Sequence, residues 1–361
     1  MGAGLLLALS GCGLGPAAPH PSAHHSAHRT PAPTASATPR AAASPRSSLP
    51  LSCAEVLPLA TAVGAFPAAS AISLQVSETS APDGLFEVSA QQAGGLHCVW
   101  GGTDVQDDSP TDRITFDEIG AAAVDYHDSV VPDSTETVNA FGTASASGCE
   151  GDPQFYCRAQ VLVGQRWFEV DYVSLGGDGE PSSGSTGRFN TLVTGIAHRV
   201  QAAAADRTLW TPPSGWNGAN LCEDAATARV RAVTGIASMD FADAEIEGPP
   251  TAQTLPLSRT NIQSCAWSNG ATDPISFILQ FVPGGAWAAA QEVVHPPSHY
   301  DGTLAPVTIA GATSAVAVCN DAFCRADMAV GGGWLSVQLY GVASLTQLTH
   351  EAAALLAATP H

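Results

Sequence analysis

The sequence contains no lysine. All 13 basic residues are arginine, and they face 33 aspartates and glutamates. The first 50 residues hold Arg29, Arg40 and Arg46 and no acid, so the remaining residues carry ten arginines and a net charge of −23. A body of this charge repels phosphate groups. The composition therefore disfavours nucleic acid as a partner, and it equally disfavours direct adsorption to anionic lipid.

Motifs of the common catalytic classes are also missing. The sequence has no G-x-S-x-G, no H-E-x-x-H and no phosphate loop, which are the local patterns of many hydrolases, metalloproteases and nucleotide-binding enzymes. Gly331-Gly332-Gly333 is flanked by strand-like sequence, which predicts a hairpin turn. No second apolar run of about 20 residues follows the N-terminus, so no transmembrane helix is expected there. The sequence predicts a non-catalytic protein without a cofactor.

What the chain does contain is an internal repeat. Residues 149–172 and 319–340 follow the same pattern of a cysteine, a short polar loop, Cys-Arg-Ala and a later tryptophan. Cys98-Val99-Trp100 recurs 167 residues later as Cys265-Ala266-Trp267, and Cys53 and Cys222 each begin a helix-like run. The chain therefore consists of two copies of one four-cysteine domain.

Nine cysteines are present, and eight of them belong to the repeats. Matched spacings and even numbers indicate disulfides, which persist in oxidising compartments. Zinc is the alternative, but a structural zinc site usually draws its four ligands from close C-x₂₋₄-C pairs, whereas Cys53 and Cys98 lie far apart in sequence and no Cys-x-x-Cys occurs. The two late cysteines of each copy lie close together across a predicted hairpin, so we expect these pairs: Cys53–Cys98, Cys149–Cys157, Cys222–Cys265 and Cys319–Cys324.

The ninth cysteine, Cys12, ends an apolar leader in the sequence Leu9-Ser10-Gly11-Cys12. This is similar to the signal of bacterial lipoproteins, in which the cysteine receives a lipid, so residues 1–12 are expected to be a lipoprotein signal with Cys12 lipidated. No basic residue precedes Gly2, although a signal peptide usually has one, which suggests that Met1 is not the natural start. The alternative is a chance match in an apolar leader.

Residues 13–50 are rich in alanine, proline, serine, threonine and histidine. Such a segment cannot bury enough apolar area to offset the entropy of ordering, and it is predicted to be a disordered tether. Histidine-rich tracts sometimes bind metal, but a solvated linker is the simpler interpretation of the four histidines here: His20, His24, His25 and His28.

The rest of the chain divides into a first domain at 51–202, a linker at 203–219 and a second domain at 220–361. In the first domain Ser52 and Glu55 form a capping-box pattern for a helix ending near Val63, Leu85–Val88 and Leu96–Trp100 are predicted strands around Gly94-Gly95, and Phe189–Ala205 is a closing helix. The second domain repeats this order and ends in a closing helix at Leu345–Ala358. Interspersed helices and adjacent hairpin strands predict an α+β fold with a mainly antiparallel sheet in each domain.

Four residues that recur between the copies are candidates for ligand contact. Strand alternation places Trp167 and Trp334 on the polar sheet face, where each would contact a ligand or be covered by a loop or by the other domain. Arg158 and Arg325 would bind a carboxylate ligand or tie the hairpin to a carbonyl or a nearby acid. A calcium loop is conceivable at four aspartates, but the D-x-D-x-D-G pattern is absent, so no metal is predicted: Asp104, Asp107, Asp108 and Asp112.

The chain resembles the four-cysteine lipoproteins of actinobacteria, which are similar to the extracellular sensor domains of mycobacterial membrane Ser/Thr kinases. The residues that carry the resemblance are Cys12 with its tether, Leu51-Ser52-Cys53 with Leu57 and Gly64, Cys98-Val99-Trp100 and the hairpin cysteines. It covers most of the chain, once per repeat. It implies an α+β domain with two disulfides and a cleft, and it transfers no functional residue. Because the copy is tandem here, a cleft site between the domains is also conceivable.

These observations predict a lipoprotein on the extracellular face of the cytoplasmic membrane, anchored through its lipid, that binds or senses a component of the envelope without chemistry. The alternatives are a structural or assembly partner of a membrane or wall complex, and an envelope hydrolase of unrecognised type. Binding predicts a concave, partly apolar pocket with converging polar groups, whereas assembly predicts a flat exposed apolar patch.

Overall fold

The computed structural model describes most of the chain from residue 44 onward. The described ranges are 44–65, 72–74, 85–102, 113–132, 136–151, 155–174, 183–203, 210–211, 215–216, 218, 221–222, 224–242, 250–270, 276–294, 304–320, 323–341 and 344–359. Cys12, the histidine tract and the aspartates 104, 107, 108 and 112 lie outside these ranges. Among the described residues, no helix is both long enough and apolar enough to span a bilayer.

The first copy is a single antiparallel sheet with helices. Its helices are α1 (Cys53–Val56), α2 (Leu59–Ala65), α3 (Leu85–Gln92), α4 (Ala123–Ser129) and α5 (Ser183–Ala202). Its strands are β1 (Ile72–Leu74), β2 (Leu96–Gly102), β3 (Arg113–Ile119), β4 (Thr137–Val138), β5 (Ala144–Gly151), β6 (Phe155–Val163) and β7 (Arg166–Ser174). They are arranged in the order β1-β2-β3-β7-β6-β5-β4.

The second copy repeats this arrangement. Its helices are α6 (Asp224–Thr234), α7 (Leu255–Arg259), α8 (Ala286–Val294) and α9 (Leu345–Ala358). Its strands are β8 (Asp240–Ala242), β9 (Gln263–Ser268), β10 (Ser276–Val282), β11 (Ala305–Pro306), β12 (Ser314–Cys319), β13 (Phe323–Val330) and β14 (Gly333–Tyr340). The sheet order, β8-β9-β10-β14-β13-β12-β11, is that of the first copy. The predicted α+β architecture with two antiparallel sheets is confirmed.

Each copy has its own hydrophobic core on one face of its sheet. In the first copy α5 lays Phe189, Val193 and Ile196 against the sheet, beside the Cys53–Cys98 disulfide. In the second copy α9 does the same with Leu348 and Ala352. Despite these separate cores, the chain from Ala41 to His361 forms one compact unit.

The start of the first copy follows the predicted capping box, but the helix is shorter than predicted. Ser52 Oγ accepts a hydrogen bond from the Glu55 backbone N–H at 3.3 Å, and Glu55 Oε2 accepts from the Ser52 backbone N–H at 2.8 Å. The helix α1 ends at Val56, and Pro58 separates it from α2, because proline removes a backbone donor and crowds the preceding turn.

One predicted strand is wrong. Leu85–Val88 belongs to the helix α3, and Gly94-Gly95 ends this helix instead of joining two strands. Gly94 has a φ of +75°, and the Gly95 N–H donates to the Ala90 carbonyl at 2.6 Å, which is a Schellman-type helix end. Val88 is fully buried against residues of the second copy, and a contact so distant in sequence leaves no local pattern.

The packed body begins before the predicted boundary at residue 51. Leu49 is fully buried in the first core, so the tether ends earlier than residue 50. Ser48 is held by its backbone: its N–H donates to the Gly94 carbonyl at 2.6 Å, and its carbonyl accepts from Arg166 Nη2 at 3.1 Å. In the predicted linker, Trp216 packs against Phe281 with ring centroids 4.5 Å apart, so this part of the linker belongs to the second copy.

Four disulfides join the cysteines that the spacing indicated. Two of them tie a helix start to a strand, with Cα atoms 5.7 Å apart for Cys53–Cys98 and 5.5 Å apart for Cys222–Cys265. The other two cross hairpins between directly paired residues, with Cα atoms 4.0 Å and 4.1 Å apart: Cys149–Cys157 and Cys319–Cys324.

The loops closed by these bridges differ greatly in length, which makes their contributions to stability separable. Cys53–Cys98 spans 45 residues and Cys319–Cys324 spans five. Replacing the first pair by alanine should lower the free energy of unfolding by about 4 kcal/mol, and replacing the second pair by about 2 kcal/mol, because longer loops restrict the unfolded chain more. Urea unfolding measures both values. Equal losses would contradict a loop-entropy origin, and free thiols in residues 44–359 under denaturant would contradict the pairing.

Candidate functional site

The outer face of each sheet, opposite its core, carries the predicted candidate residues. On β7 the residues Phe168, Val170 and Tyr172 point into the core. Trp167, Glu169 and Asp171 alternate with them and lie on the outer face. On β14 the same positions hold Trp334, Ser336 and Gln338.

Both tryptophans are covered and have no access to solvent. Trp167 is 0% exposed and packs with Ile119, Leu162 and Tyr126 of its own copy, and with Leu255 of the second copy. The rings of Tyr126 and Trp167 meet edge to face with centroids 5.6 Å apart. The Trp167 side chain is therefore a packing residue and not a ligand contact.

Trp334 is in the equivalent position and is 1% exposed. It packs with Val282 and Trp287 of its own copy and with Val88 of the first copy. Both tryptophans are therefore covered in part by the other domain, which was the alternative to contact with a ligand.

The two repeated arginines are each paired with an internal carboxylate. Arg158 Nη2 forms an ion pair with Glu169 Oε1. Arg325 Nη2 donates to Asp327 Oδ1 at 2.9 Å, its Nε lies 2.7 Å from Asp327 Oδ2, and its guanidinium lies over the Trp334 ring, 5.9 Å from the centroid. The geometry thus supports a structural role for both arginines, which tie the hairpin to a nearby acid. The chain itself already supplies the carboxylate that a ligand would have to offer.

The carboxylate has changed strands between the copies while the arginine has stayed in place. In the first copy Gln160 on β6 faces Glu169 on β7, and in the second copy Asp327 on β13 faces Ser336 on β14. Acid and neutral residue are exchanged across one pair of directly opposed positions. The repeated feature is therefore the ion pair and not a particular acidic position, as expected of a structural contact.

The first copy also carries a group of charged residues on its outer face, which we call the charged patch: His97, Asp117, Tyr156, Arg158, Glu169 and Asp171. His97 faces Asp117, Asp117 faces Glu169, and Arg158 faces Asp171 in neighbouring strands. Besides the Arg158–Glu169 ion pair, the patch has two short contacts, from His97 Nδ1 to Asp117 Oδ1 and from Tyr156 Oη to Asp171 Oδ1, each at 2.6 Å.

Burial dominates the protonation of the charged patch. It raises the pKa of Glu169 to about 8, with Asp171 adding to the effect and Arg158 opposing it. Burial raises the pKa of Asp171 as well, against the hydrogen bond from Tyr156 and the charge of Arg158. The pKa of Tyr156 is also raised, first by burial and then by Asp171. Burial therefore favours proton uptake by this pair of carboxyls, and the charge of Arg158 opposes it.

The same region of the second copy is largely neutral. Gln338 Nε2 donates to Gln280 Oε1 at 3.4 Å, and Tyr340 Oη donates to Gln338 Oε1 at 3.0 Å. A chain of amides thus replaces the carboxylates of the first copy. The sequence analysis missed the patch, although polar residues at alternate positions of β3 and β7 were the available signal.

Within the described ranges, no group of three or more histidine, cysteine, aspartate or glutamate side chains is placed to hold a metal ion. The contacts of the charged patch are pairwise: His97 Nε2 lies 3.6 Å from Glu87 Oε1, and Asp117 takes the other ring nitrogen. In the part of the chain that the structure describes, the patch is therefore an ion-pair network and not a ligand set.

A concave site lies elsewhere in the first copy, between α2 and α5. This groove has a volume of about 450 Å³. Its walls are small or apolar residues with one arginine: Thr61, Gly64, Ala65, Gly187, Arg188, Thr191 and Leu192. A Cβ atom added at Gly64 or at Gly187 would meet no atom within 4 Å, so both glycines open directly onto free space.

The groove has firm walls, because its end is fixed by hydrogen bonds. The Ala65 carbonyl at the end of α2 accepts from Tyr172 Oη at 3.1 Å and from Arg188 Nε at 3.2 Å. These bonds join α2 to the central strand β7 and to α5. They hold the two helices at the separation that leaves the groove open.

The second copy differs at the matching helix face. The buried positions of α5 and α9 correspond one to one with an offset of 159, which places Glu351 where the first copy has Leu192. Glu351 Oε1 accepts from Gln347 Nε2 at 2.9 Å, and burial raises the pKa of Glu351. The apolar wall of the groove is therefore specific to the first copy.

The raised pKa of Glu169 leads to a prediction about stability. A folded-state pKa above the unfolded value means that folding takes up a proton, so the free energy of unfolding should fall as pH rises from about 4.5 to about 8. Glu169→Gln keeps the shape of the side chain and should flatten this fall by a few kcal/mol, on the order set by the shift.

Urea unfolding at several pH values measures the effect. Glu150→Gln, at an exposed position on β5, is the control and should leave the pH dependence unchanged. A pH dependence that is equally steep in wild type and in Glu169→Gln would contradict the assignment of the proton to this pair.

Comparison with known proteins identifies no relative. No family model, no curated protein and no solved structure matches the chain. The resemblance to four-cysteine lipoproteins therefore rests on the cysteine and Cys-x-Trp spacing, and a functional conclusion has to come from the geometry of the chain itself.

Proposed function

We propose that the chain is an extracytoplasmic lipoprotein that binds a small, largely apolar component of the cell envelope without chemistry, in the groove between α2 and α5. The groove itself carries the proposal. Its volume of about 450 Å³ lies within the roughly 300–1,000 Å³ of ligand pockets, which are mostly apolar with a few polar groups. Thr61, Thr191 and Arg188 supply such groups around Ala65 and Leu192.

The compartment is supported by covalent chemistry. Four disulfides within one body are typical of proteins that fold outside the reducing cytoplasm. An apolar leader that ends in Leu-Ser-Gly-Cys would supply the anchor at Cys12. An anchor at Cys12 would keep the groove within the cell envelope, where apolar molecules are plentiful.

The charged patch supports a structural role more than an enzymatic one. Glu169, whose pKa burial raises to about 8, is 2% exposed and is held by Arg158. A general acid or base has to reach a substrate proton within about 3 Å, and a carboxyl that is 2% exposed and paired with an arginine is poorly placed to do so. The proposal therefore contains no catalytic step.

Filling the groove from its two glycines tests the binding site. In the variant Gly64→Leu/Gly187→Leu the new side chains enter open space, so the fold should persist, and removing helical glycines should not lower stability. Native wild-type lipoprotein should carry co-purifying apolar molecules, detected by mass spectrometry, and the filled variant should lose at least about nine-tenths of them. Thr194→Leu adds an apolar side chain at an exposed position of α5 outside the groove, and it should retain them.

Three results would count against this site. Equal recovery of the same molecules with the filled variant would place binding elsewhere. A wild-type sample with nothing enriched over an unrelated lipoprotein would remove the main support for binding. Enrichment of proteins instead of small molecules would favour an assembly role.

The anchor requires a separate experiment. Cys12→Ala should move the protein from the membrane fraction to the soluble fraction of cells, because the leader would lose the thiol that accepts the lipid. The double variant Cys319→Ala/Cys324→Ala keeps Cys12 and should stay with the membrane. A Cys12→Ala protein that still sediments with membranes would show that the chain is held there by other means.

A further inference from the structure

Two equivalent helices, one from each copy, meet at the contact between the copies. The helix α3 lies before β2 in the first copy, and α7 lies before β9 in the second, and the two pack against each other. Val88 of α3 precedes Cys98 by ten residues, and Leu255 of α7 precedes Cys265 by ten residues. Val88 and Leu255 are therefore the same position of the repeated domain.

Each of these two side chains packs against the outer sheet face of the other copy. Val88 of the first copy is buried in the cluster that covers Trp334 of the second copy. Leu255 of the second copy is buried in the cluster that covers Trp167 of the first copy. Each copy thus uses the same position of the repeated domain to cover the outer-face tryptophan of the other copy.

A polar contact is exchanged in the same way. Gln92 Nε2, at the end of α3, donates to the carbonyl of Pro283, the first residue after β10, at 3.1 Å. Arg259, at the end of α7, is 167 residues after Gln92, and its Nη1 donates to the carbonyl of Gly120, the first residue after β3, at 2.8 Å. The two donors and the two acceptors each occupy equivalent positions.

Reciprocal contacts between equivalent residues define the interface of a two-fold symmetric dimer, in which residue i meets j and j meets i. We propose that the two copies form a self-complementary interface of this homodimer type, and that the outer sheet face of each copy is a binding surface for a second copy of the same domain. The segment that connects the copies raises their local concentration but is not what holds them together.

The surface has the chemistry of such an interface. Its centre consists of fully buried tryptophans and aliphatic residues, and its rim carries the hydrogen bonds of Gln92 and Arg259. Arg259 adds an ion pair at the rim, with Nη2 2.6 Å from Asp125 Oδ2. An apolar centre with a polar rim is the usual anatomy of stable protein interfaces.

Cutting the connection in the full-length protein tests the proposal. A protease site placed within residues 204–209 allows the folded chain to be cleaved after purification. The two fragments should stay together in size-exclusion chromatography with light scattering at about 1 μM, which corresponds to a dissociation constant at or below that range. Separation of the cleaved wild-type fragments under native conditions would overturn the proposal.

Equivalent variants in the two copies give a second readout. Val88→Asp and Leu255→Asp should each weaken the association of the cleaved fragments by more than about 100-fold, because each buries an unpaired charge in the interface. The control Val124→Asp lies on α4 at a position that is 72% exposed, and it should have no effect. Equal behaviour of Val124→Asp and Val88→Asp would contradict the interface.

Two milder variants guard against a simple folding defect. Arg259→Ala removes a partly exposed side chain from the rim and should raise the dissociation rate of the cleaved fragments roughly 10-fold while circular dichroism stays unchanged. The exchange variant Val88→Leu/Leu255→Val swaps the two equivalent residues and should keep wild-type association within about threefold. A dissociation rate that is unchanged in Arg259→Ala, or fragments that separate in the exchange variant, would count against the reciprocal geometry.

Discussion

Each sheet in this protein has two apolar surfaces, but its long closing helix covers only one of them. In the first copy α5 closes the core face, and the outer face still carries Ile119, Leu162 and Trp167. Leaving an indole and two large aliphatic side chains in water would forfeit several kcal/mol of hydrophobic free energy. The tandem arrangement meets this constraint, because each copy contributes α3 or α7 to the outer face of the other.

Once the outer faces are paired, the two copies are free to differ where they do not touch. The first copy places carboxylates beside the interface and an apolar groove between α2 and α5, whereas the second copy has amides at the first place and Glu351 at the second. Duplication has conserved what holds the copies together and has let the remaining surfaces diverge. The Arg158–Glu169 and Arg325–Asp327 pairs show both tendencies, since the guanidinium is retained while its partner has moved to another strand.

Local sequence patterns were sufficient for much of the fold. The closing helix Leu345–Ala358 was predicted at its observed bounds, since its apolar residues recur at helical spacing. The disulfide partners followed from the nearness of cysteines across hairpins. Patterns failed where the deciding contact lies far away in the chain. Leu85–Val88 has the composition of a strand, but it is helical. Its Val88 is buried against Val282 and Trp287 of the second copy, which local sequence does not indicate.

The groove and the charged patch could be anticipated only in part. Alternation along β7 correctly put Trp167 on the face opposite the core, but it contained no information about how deeply the neighbouring Glu169 is buried, which raises its pKa. The groove arises from two helices that lie far apart in sequence, α2 and α5. Its glycines, Gly64 and Gly187, fall just outside the predicted helices, which end near Val63 and begin at Phe189. Small residues leave a groove between two helices only once the helices have packed together, and the sequence of each helix alone does not show this packing.

The way in which the chain enters the body has a mechanical consequence. The backbone of Ser48 is held on both sides, by the Gly94 carbonyl and by Arg166, whose guanidinium also contacts Glu118 on β3 at 2.5 Å. Arg166 is the first residue of β7, in the middle of the sheet. Any pull on the chain before Ser48 is therefore passed to β7 and β3, neighbouring strands that are each paired on both sides. Strands paired on both sides are harder to detach than an edge strand, so the first copy should resist traction from its N-terminal side better than an edge-strand entry would allow.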